Sequence, residues 1–174
     1  MMKKLVISDS LKWDQNTEFI CKRARSKIFL LRNMKRSGLV RNELIDAYVK
    51  EVRSLLELAV PVWHSGITLD QEIKIERVQK SALSIILGKS YISYENALQL
   101  TQLQRLSTRR ESICSRFIKK NMKSERPFLQ TIKKSHHTRS DENSAKLIKC
   151  RTTTFYNSSV PFLTRKYNKN LEKT

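Results

Sequence analysis

The chain has 174 residues with 39% hydrophobic content, and its 35 Lys and Arg residues against 16 Asp and Glu residues give a formal net charge of +19. This length fits one domain, or one domain and a tail, with a single modest core. Three Gly and three Pro residues leave no Gly-rich loop and disfavour an all-β fold, and no segment is apolar for long enough to be a secretory signal or a membrane span.

The positive charge extends over both halves of the chain. Residues 1–90 contain 17 basic and 10 acidic side chains, and residues 91–174 contain 18 and 6. Such a charge attracts polyanions without specifying which one, so nucleic acid is the expected partner, with an anionic membrane surface or the ribosome as alternatives. Three separated cysteines without CxxC spacing (Cys21, Cys114 and Cys150) indicate a reducing compartment, the cytoplasm or nucleus.

The N-terminal segment is predicted to form a short β-strand, because residues 5–13 alternate weakly and include the apolar run Leu5-Val6-Ile7. A strand needs a sheet to join, and no second strand candidate follows nearby. This segment is therefore expected to be the edge of a larger sheet from which the chain has been cut.

The first helix is predicted to begin near Asn16 or Thr17 and to end at Gly38, which suits a left-handed C-terminal cap. Its apolar face contains Ile20, Ala24, Ile28, Leu31 and Met34. Roughly opposite lie Lys22, Arg25, Arg32 and Arg36. Residues 22–36 include seven basic and no acidic side chain, whereas a merely solvated helix usually interleaves glutamates. We interpret the stripe as phosphate-facing, with an ordinary exposed face as the alternative.

Two further helices complete the predicted centre of the bundle. Asn42 is expected to cap the second helix and Pro61 to end it, and apolar residues over about half of its circumference predict the most buried position. The third helix runs from a capping box at Thr68 and Gln71 to a stop at Gly88. Its apolar face contains Ile75, Val78, Ala82, Ile85 and Ile86.

A short helix from Ser93 to Leu100 and a longer one capped by Ser107 follow. In the longer helix, Leu106, Ile113 and Phe117 are predicted to face inward. A second basic stripe faces outward with Arg109, Arg116, Lys119, Lys120 and Lys123.

The remaining chain lacks helical periodicity until its end. Residues 124–149 are predicted to be a linker or disordered, and residues 150–174 a tail that docks through aromatic side chains. With residues 1–15 as a strand remnant and 16–123 as a helical bundle, the predicted fold is all-α, with a short N-terminal edge strand and a largely irregular C-terminal tail.

No catalytic or metal-binding constellation is found. Paired aspartates for two-metal chemistry are missing, since Asp9, Asp14, Asp46, Asp70 and Asp141 stand alone. The histidines lack the spacing to a carboxylate of a facial triad, and neither G-x-S-x-G nor a Walker lysine occurs. We expect no enzyme activity, no cofactor, no small-molecule substrate and no membrane association, and we expect a monomer.

Several blocks occur in an order that resembles the segment after the palm in reverse transcriptases of non-LTR (LINE-type) retrotransposons. They are Leu11-Lys12-Trp13, Cys21-Lys22-Arg23-Ala24, Phe29-Leu30-Leu31-Arg32, Pro61-Val62-Trp63-His64, Glu76-Arg77-Val78-Gln79-Lys80, Ile85-Ile86-Leu87-Gly88, Tyr94-Glu95-Asn96-Ala97-Leu98 and Ser158-Ser159-Val160-Pro161-Phe162-Leu163-Thr164-Arg165. The resemblance covers nearly the whole chain and is weakest between residues 126 and 149. A His that often follows the family's Trp by three residues is Asn16 here.

The resemblance implies the thumb and post-thumb part of an RNA-directed DNA polymerase whose fingers, palm and catalytic aspartates are absent from these residues. Such a thumb grips the primer-template duplex without reading sequence. The expected phosphate contacts are Lys22, Arg25, Arg32, Arg36, Arg109, Arg116, Lys119 and Lys120.

Two alternatives to this interpretation remain. The first is a basic helical protein-interaction module. The second follows from the Leu-Lys-Trp block and the first-helix block, which also resemble the N-terminal segment of an AlkB-type tRNA-modifying dioxygenase or methyltransferase. The latter would be without activity, because His-x-Asp and a Gly-rich loop are missing.

Overall fold

A computed structural model of the chain describes residues 4–8, 12–122 and 144–171. Its α-helices are α1 (Asp14–Arg36), α2 (Arg41–Ala47), α3 (Ser54–Leu56), α4 (Val60–Trp63), α5 (Leu69–Leu87), α6 (Tyr94–Thr101), α7 (Leu106–Met122), α8 (Thr153–Tyr156) and α9 (Ser159–Leu171). A π-helix (Tyr48–Arg53) joins α2 to α3. The prediction of an all-α helical bundle is confirmed.

The predicted N-terminal edge strand is wrong, because residues 4–8 have irregular structure and no β-strand forms within the described ranges. A strand is stabilised by pairing with a neighbour, and no described segment offers one. Instead, the Val6 amide donates a hydrogen bond to Asn16 Oδ1 at 3.3 Å. Asn16 therefore fixes this segment to the first turn of α1.

Contacts within the chain divide it into two compact units. The first comprises Met1–Ala59 and Ile67–Arg109, and the second comprises Val60–Gly66 and Arg110–Thr174. The segment predicted as one bundle, 16–123, contributes to both.

In the first unit, α1 packs along α5, and the two helices run in the same direction. Asp14 at the start of α1 accepts a 2.6 Å hydrogen bond from Gln71 near the start of α5, and Lys35 near the end of α1 contacts the last turn of α5. The predicted apolar faces are confirmed. The buried members are Ile20, Ala24, Ile28 and Leu31 from α1, and Ile75, Val78, Ala82 and Ile86 from α5.

The second helix is interrupted more than its sequence predicted. It begins after Val40, whose amide donates to the Glu43 carboxylate at 3.0 Å, so the prediction that Asn42 is the cap is wrong. It winds as a π-helix over Tyr48–Arg53 and ends at Leu56, well before Pro61. The proline lies instead in the first turn of α4, where a helix needs no amide donor. The buried position is confirmed, since Val52 is 0% exposed.

Helix α5 has the boundaries that its sequence predicted. Thr68 is the N-cap, and its hydroxyl accepts from the Gln71 amide while the Gln71 side chain accepts from the Thr68 amide. Gly88 ends the helix with φ +56°. The Lys35 ammonium donates to the carbonyls of Ile85 and Ile86, which α5 itself leaves without amide partners.

A buried polar network ties α5 to its neighbours. The Tyr48 hydroxyl donates to Gln79 Oε1 at 2.6 Å, and Gln79 Nε2 donates to the Tyr94 hydroxyl at 2.8 Å and to the Gln104 carbonyl at 3.0 Å. The Tyr94 hydroxyl donates to Glu76, whose carboxylate also accepts from the Leu106 amide at the start of α7. The network thus joins the π-helix, α5, α6 and the start of α7.

In the second unit, α9 contacts α4 and the 3-10 turn that follows α4. The rings of His64 and Phe162 meet edge to face with centroids 5.8 Å apart, and Asn168 exchanges hydrogen bonds with the backbone of Ala145. Phe162 is one of the aromatic side chains of the predicted docking tail, and its contact with His64 lies within the second unit. The prediction of a largely irregular tail is wrong for Ser159–Leu171, which is helical. Most of the predicted linker, residues 124–143 of 124–149, lies outside the described residues.

Helix α7 is rotated relative to its predicted orientation. Phe117 is 41% exposed and Ile113 is half-buried, whereas Arg110, Cys114 and Ile118 are buried. The predicted inward face is therefore wrong except at Leu106. The helix also begins at Leu106, so Ser107 lies within its first turn instead of capping it.

Candidate nucleic-acid interface

The basic stripe of α1 is exposed along its whole length. Lys22, Arg25, Arg32 and Arg36 are all exposed, and their spacing of three, seven and four residues keeps them on one line of the helix surface. At 1.5 Å of rise per residue, the stripe is about 21 Å long. The buried opposite side of α1 fixes the direction in which these side chains leave the helix.

None of these four side chains forms an ion pair with another described residue. By contrast, Lys27 lies two residues after Arg25 on another side of the helix, and its ammonium is 2.8 Å from the Glu51 carboxylate. The four positive charges of the stripe therefore repel one another without an ion-pair partner in the described residues. An anion that approaches the stripe would reduce this repulsion.

A groove of about 620 Å³ runs beside the first half of this stripe, between α1 and α5. It is lined by Asp14, Thr17, Glu18, Cys21, Lys22 and Arg25 from α1 and by Gln71, Lys74 and Arg77 from α5. The parallel arrangement of the two helices thus adds two cations of α5 to the stripe of α1.

The charges in the groove are graded from one end to the other. Near the helix N-termini, Asp14 is hydrogen-bonded to Gln71 and Lys74 is paired with Asp70 at 2.7 Å, so charges there are balanced. Toward the C-termini, Lys22, Arg25 and Arg77 have no acidic partner among the described residues. The positive charge without an acidic partner in the described residues therefore lies from Lys22 toward Arg36.

Cys21 lies at the floor of the groove but is not a reactive thiol. Burial raises the pKa of its thiol, and the positive charges of Arg25 and Lys74 only partly oppose this. The cysteine is 3% exposed. Its place between α1 and α5 is consistent with a packing role.

Lys74 and Arg77 were not among the sequence-predicted contacts. The helix that carries them begins with acidic residues, and its basic side chains are interrupted by Glu72 and Glu76. A signal was nevertheless present, since positions 74, 77, 81 and 84 form one polar line on the α5 surface. Only the packing of α5 against α1 shows that this line borders the basic stripe.

The second predicted stripe is divided by the structure. The Arg109 guanidinium binds the Glu57 carboxylate through both Nε and Nη2, the latter at 3.0 Å, and this pair raises the arginine's pKa. Arg109 is therefore engaged within the first unit instead of projecting freely. Arg116, Lys119 and Lys120 are exposed on the part of α7 that belongs to the second unit, and Lys123 lies outside the described residues.

The described residues also bear on three other kinds of feature: a metal site, a membrane-spanning helix and a charged histidine. They contain no cluster of His, Cys, Asp and Glu that could hold a metal ion, and none of their helices is long and apolar enough to cross a membrane. Burial, and then the nearby charges of Arg110 and Lys166, lower the pKa of His64 to about 4, so this imidazole is neutral at physiological pH.

Comparisons with protein-family models, with curated proteins and with solved structures found no match to this chain.

Proposed function

We propose that this chain is a non-catalytic helical module that binds duplex nucleic acid through its phosphates, in the manner of the thumb of a LINE-type reverse transcriptase. The proposal is supported by one observation above all: the line of Lys22, Arg25, Arg32 and Arg36 on α1 is exposed and has no ion-pair partner within the described ranges. The family is proposed from the resemblance in the sequence alone, and the helical fold is compatible with it.

The dimensions of the stripe suit a duplex backbone. A line of about 21 Å matches about six nucleotides of one strand at 3.4 Å each. Lysine and arginine side chains reach phosphate oxygens without contacting base edges, so binding is expected to be largely independent of sequence. Arg77 extends the contact across the groove.

The protein's part is binding and orientation. No pair of aspartates is available to hold two metal ions, and the two carboxylates that line the groove, Asp14 and Glu18, belong to its acidic end, which repels a phosphate chain. Nucleotide addition would therefore require catalytic residues from elsewhere.

A salt titration tests this proposal. Each phosphate neutralised on B-DNA contributes about −0.9 to the slope of log K against log salt, so replacing Lys22, Arg25, Arg32 and Arg36 together by Gln should make the slope shallower by up to about 3.6. Glutamine is a good helix former, so circular dichroism should stay unchanged.

The matched control removes the same charge elsewhere. Lys12, Arg41, Lys50 and Lys149 are exposed and lie off the stripe, and replacing them by Gln lowers the net charge equally. The control should keep most of the wild-type slope. Equal loss in both variants would show a general charge effect, and an unchanged slope in a folded stripe variant would favour the protein-interaction alternative.

The Arg116, Lys119 and Lys120 cluster is tested separately, because it belongs to the second unit. A triple Gln variant that leaves the slope unchanged would restrict binding to the first unit. A shallower slope would assign both basic surfaces to the interface.

A further inference from the structure

An exposed aromatic ring lies in the middle of the basic stripe. Phe29 is 63% exposed, and it is four residues after Arg25 and three before Arg32, which places all three on the same line of α1. Single exposed apolar side chains are common on protein surfaces, so the position of this ring, and not its exposure, calls for an explanation.

The Phe29 side chain is largely exposed to solvent within the described part of the chain. Phe19 offers a comparison on the same helix, since the Arg23 guanidinium lies over its ring at 5.4 Å from the centroid. No corresponding cation or second ring covers Phe29 among the described residues. A planar apolar ligand can therefore reach it.

The helix that carries this ring is held firmly. Residues on the opposite side of α1, including Ile28 and Leu31, are buried, and hydrogen bonds at both ends connect α1 to α5. A ring on such a support loses little conformational entropy when a ligand binds. Arg25 and Arg32, about 10 Å apart along the helix axis, flank the ring with phosphate-binding groups.

We propose that Phe29 stacks on an unpaired nucleobase, so that the stripe binds single-stranded nucleic acid in addition to the duplex. This inference rests on the phosphate binding of the proposed function and extends it to strands with unpaired bases. Cationic groups along a backbone path with an aromatic ring between them are the combination that binds single strands, because every base has a face that can stack. In a fully paired duplex the base faces are already stacked on each other.

The test compares a single strand with a duplex that contains the same sequence. Phe29→Ala should weaken binding of the single strand by about five-fold or more and leave duplex affinity nearly unchanged. Phe29→Tyr should retain both affinities, because it retains the ring. The control is Leu30→Ala, which removes a neighbouring side chain that is 37% exposed but points off the line of cations; it should alter neither affinity.

A second measurement does not depend on affinity. Trp13 and Trp63 are both buried, so the introduced tryptophan of a Phe29→Trp variant is the exposed fluorophore among the three. Its emission should be quenched when a single strand binds and much less when the duplex binds.

The outcomes separate this inference from the proposed function. Absence of salt-dependent binding by the wild type to either probe would overturn both. Two outcomes would overturn base stacking alone, provided that the wild type shows salt-dependent binding. In the first, Phe29→Ala binds both probes as tightly as the wild type does. In the second, Phe29→Ala loses affinity for both probes to the same extent. Quenching of the same size by both probes would also contradict it.

Discussion

The hydroxyl of Tyr48 and the side chain of Gln79 form the part of the buried network whose energetic coupling is most directly testable. Both residues are 0% exposed. Gln79→Leu keeps the approximate volume but removes the acceptor of the Tyr48 hydroxyl and the donor to the Gln104 carbonyl. The Tyr94 hydroxyl keeps Glu76 as its acceptor.

The expected destabilisation follows from what is left unpaired. A buried polar group without a partner costs about 1–3 kcal/mol. After Gln79→Leu, the Tyr48 hydroxyl is such a group, because Tyr48 is fully buried. The Gln104 carbonyl is less affected, because Gln104 is an exposed residue. We therefore expect a loss of about 2–3 kcal/mol for Gln79→Leu. Tyr48→Phe leaves Gln79 Oε1 unpaired and should cost about 1–2 kcal/mol.

The double variant gives the decisive comparison. With both partners apolar, no unpaired group remains on this contact, so the double variant should be more stable than the sum of the single effects predicts, by about 1 kcal/mol or more. Urea unfolding followed by circular dichroism measures these differences, provided that the m-value is unchanged. Tyr91→Phe, at a tyrosine whose hydroxyl forms no hydrogen bond among the described residues, is the control. Additive single effects would refute the assigned hydrogen bond.

Three other predictions concern separate parts of the chain. Gly88→Ala should destabilise the protein by about 1–2 kcal/mol in urea unfolding. The reason is that φ at Gly88 is +56° and that a Cβ there would lie 2.6 Å from Lys35 Nζ. Gly38→Ala isolates the backbone contribution, because φ is +88° and a Cβ there would have no atom within 4 Å. A thiol reagent should modify Cys150 in the native protein but Cys21 and Cys114 only after unfolding, since the last two are buried and burial raises the pKa of Cys114 to about 11; equal rates for all three would contradict this. The pKa of His64 is about 4 in the folded state and 6.5 in the unfolded state, so between these values only the unfolded state binds the proton. The stability of the protein should therefore fall as pH drops from 6.5 toward 4. His64→Gln should remove this component from pH-dependent unfolding, and a pH profile identical to that of the wild type would contradict the assignment.

The features predicted correctly from the sequence are those set by local chemistry. The 3.6-residue period placed Ile20, Ala24 and Ile28 in the core. The Thr68 capping box and Gly88 gave the limits of α5, because each depends on backbone groups within one turn.

The features that were missed depend on tertiary packing. A wheel based on hydrophobicity turned α7 toward Ile113 and Phe117, whereas the structure exposes Phe117 and buries Arg110, a residue type that is rarely buried. The π-helix and the positive φ of Ala59 have no residue signature in this sequence.

The candidate interface was predictable only in part. The line of Lys22, Arg25, Arg32 and Arg36 is visible in the sequence because all four lie on one helix. The pairing of Arg109 with Glu57, 52 residues away, and the placement of Arg77 beside α1 result from the packing of distant segments. No periodicity within one helix reports such contacts.

Chemical footprinting of the lysines gives the most direct test of binding through the α1 stripe. The wild-type protein is acetylated in the absence and presence of a short duplex at low salt, and modification at each lysine is followed by mass spectrometry. We predict that the duplex slows modification of Lys22 but not of Lys12 or Lys50, which are exposed off the stripe, and that high salt removes the protection. Equal modification of Lys22 with and without a bound duplex would contradict the account.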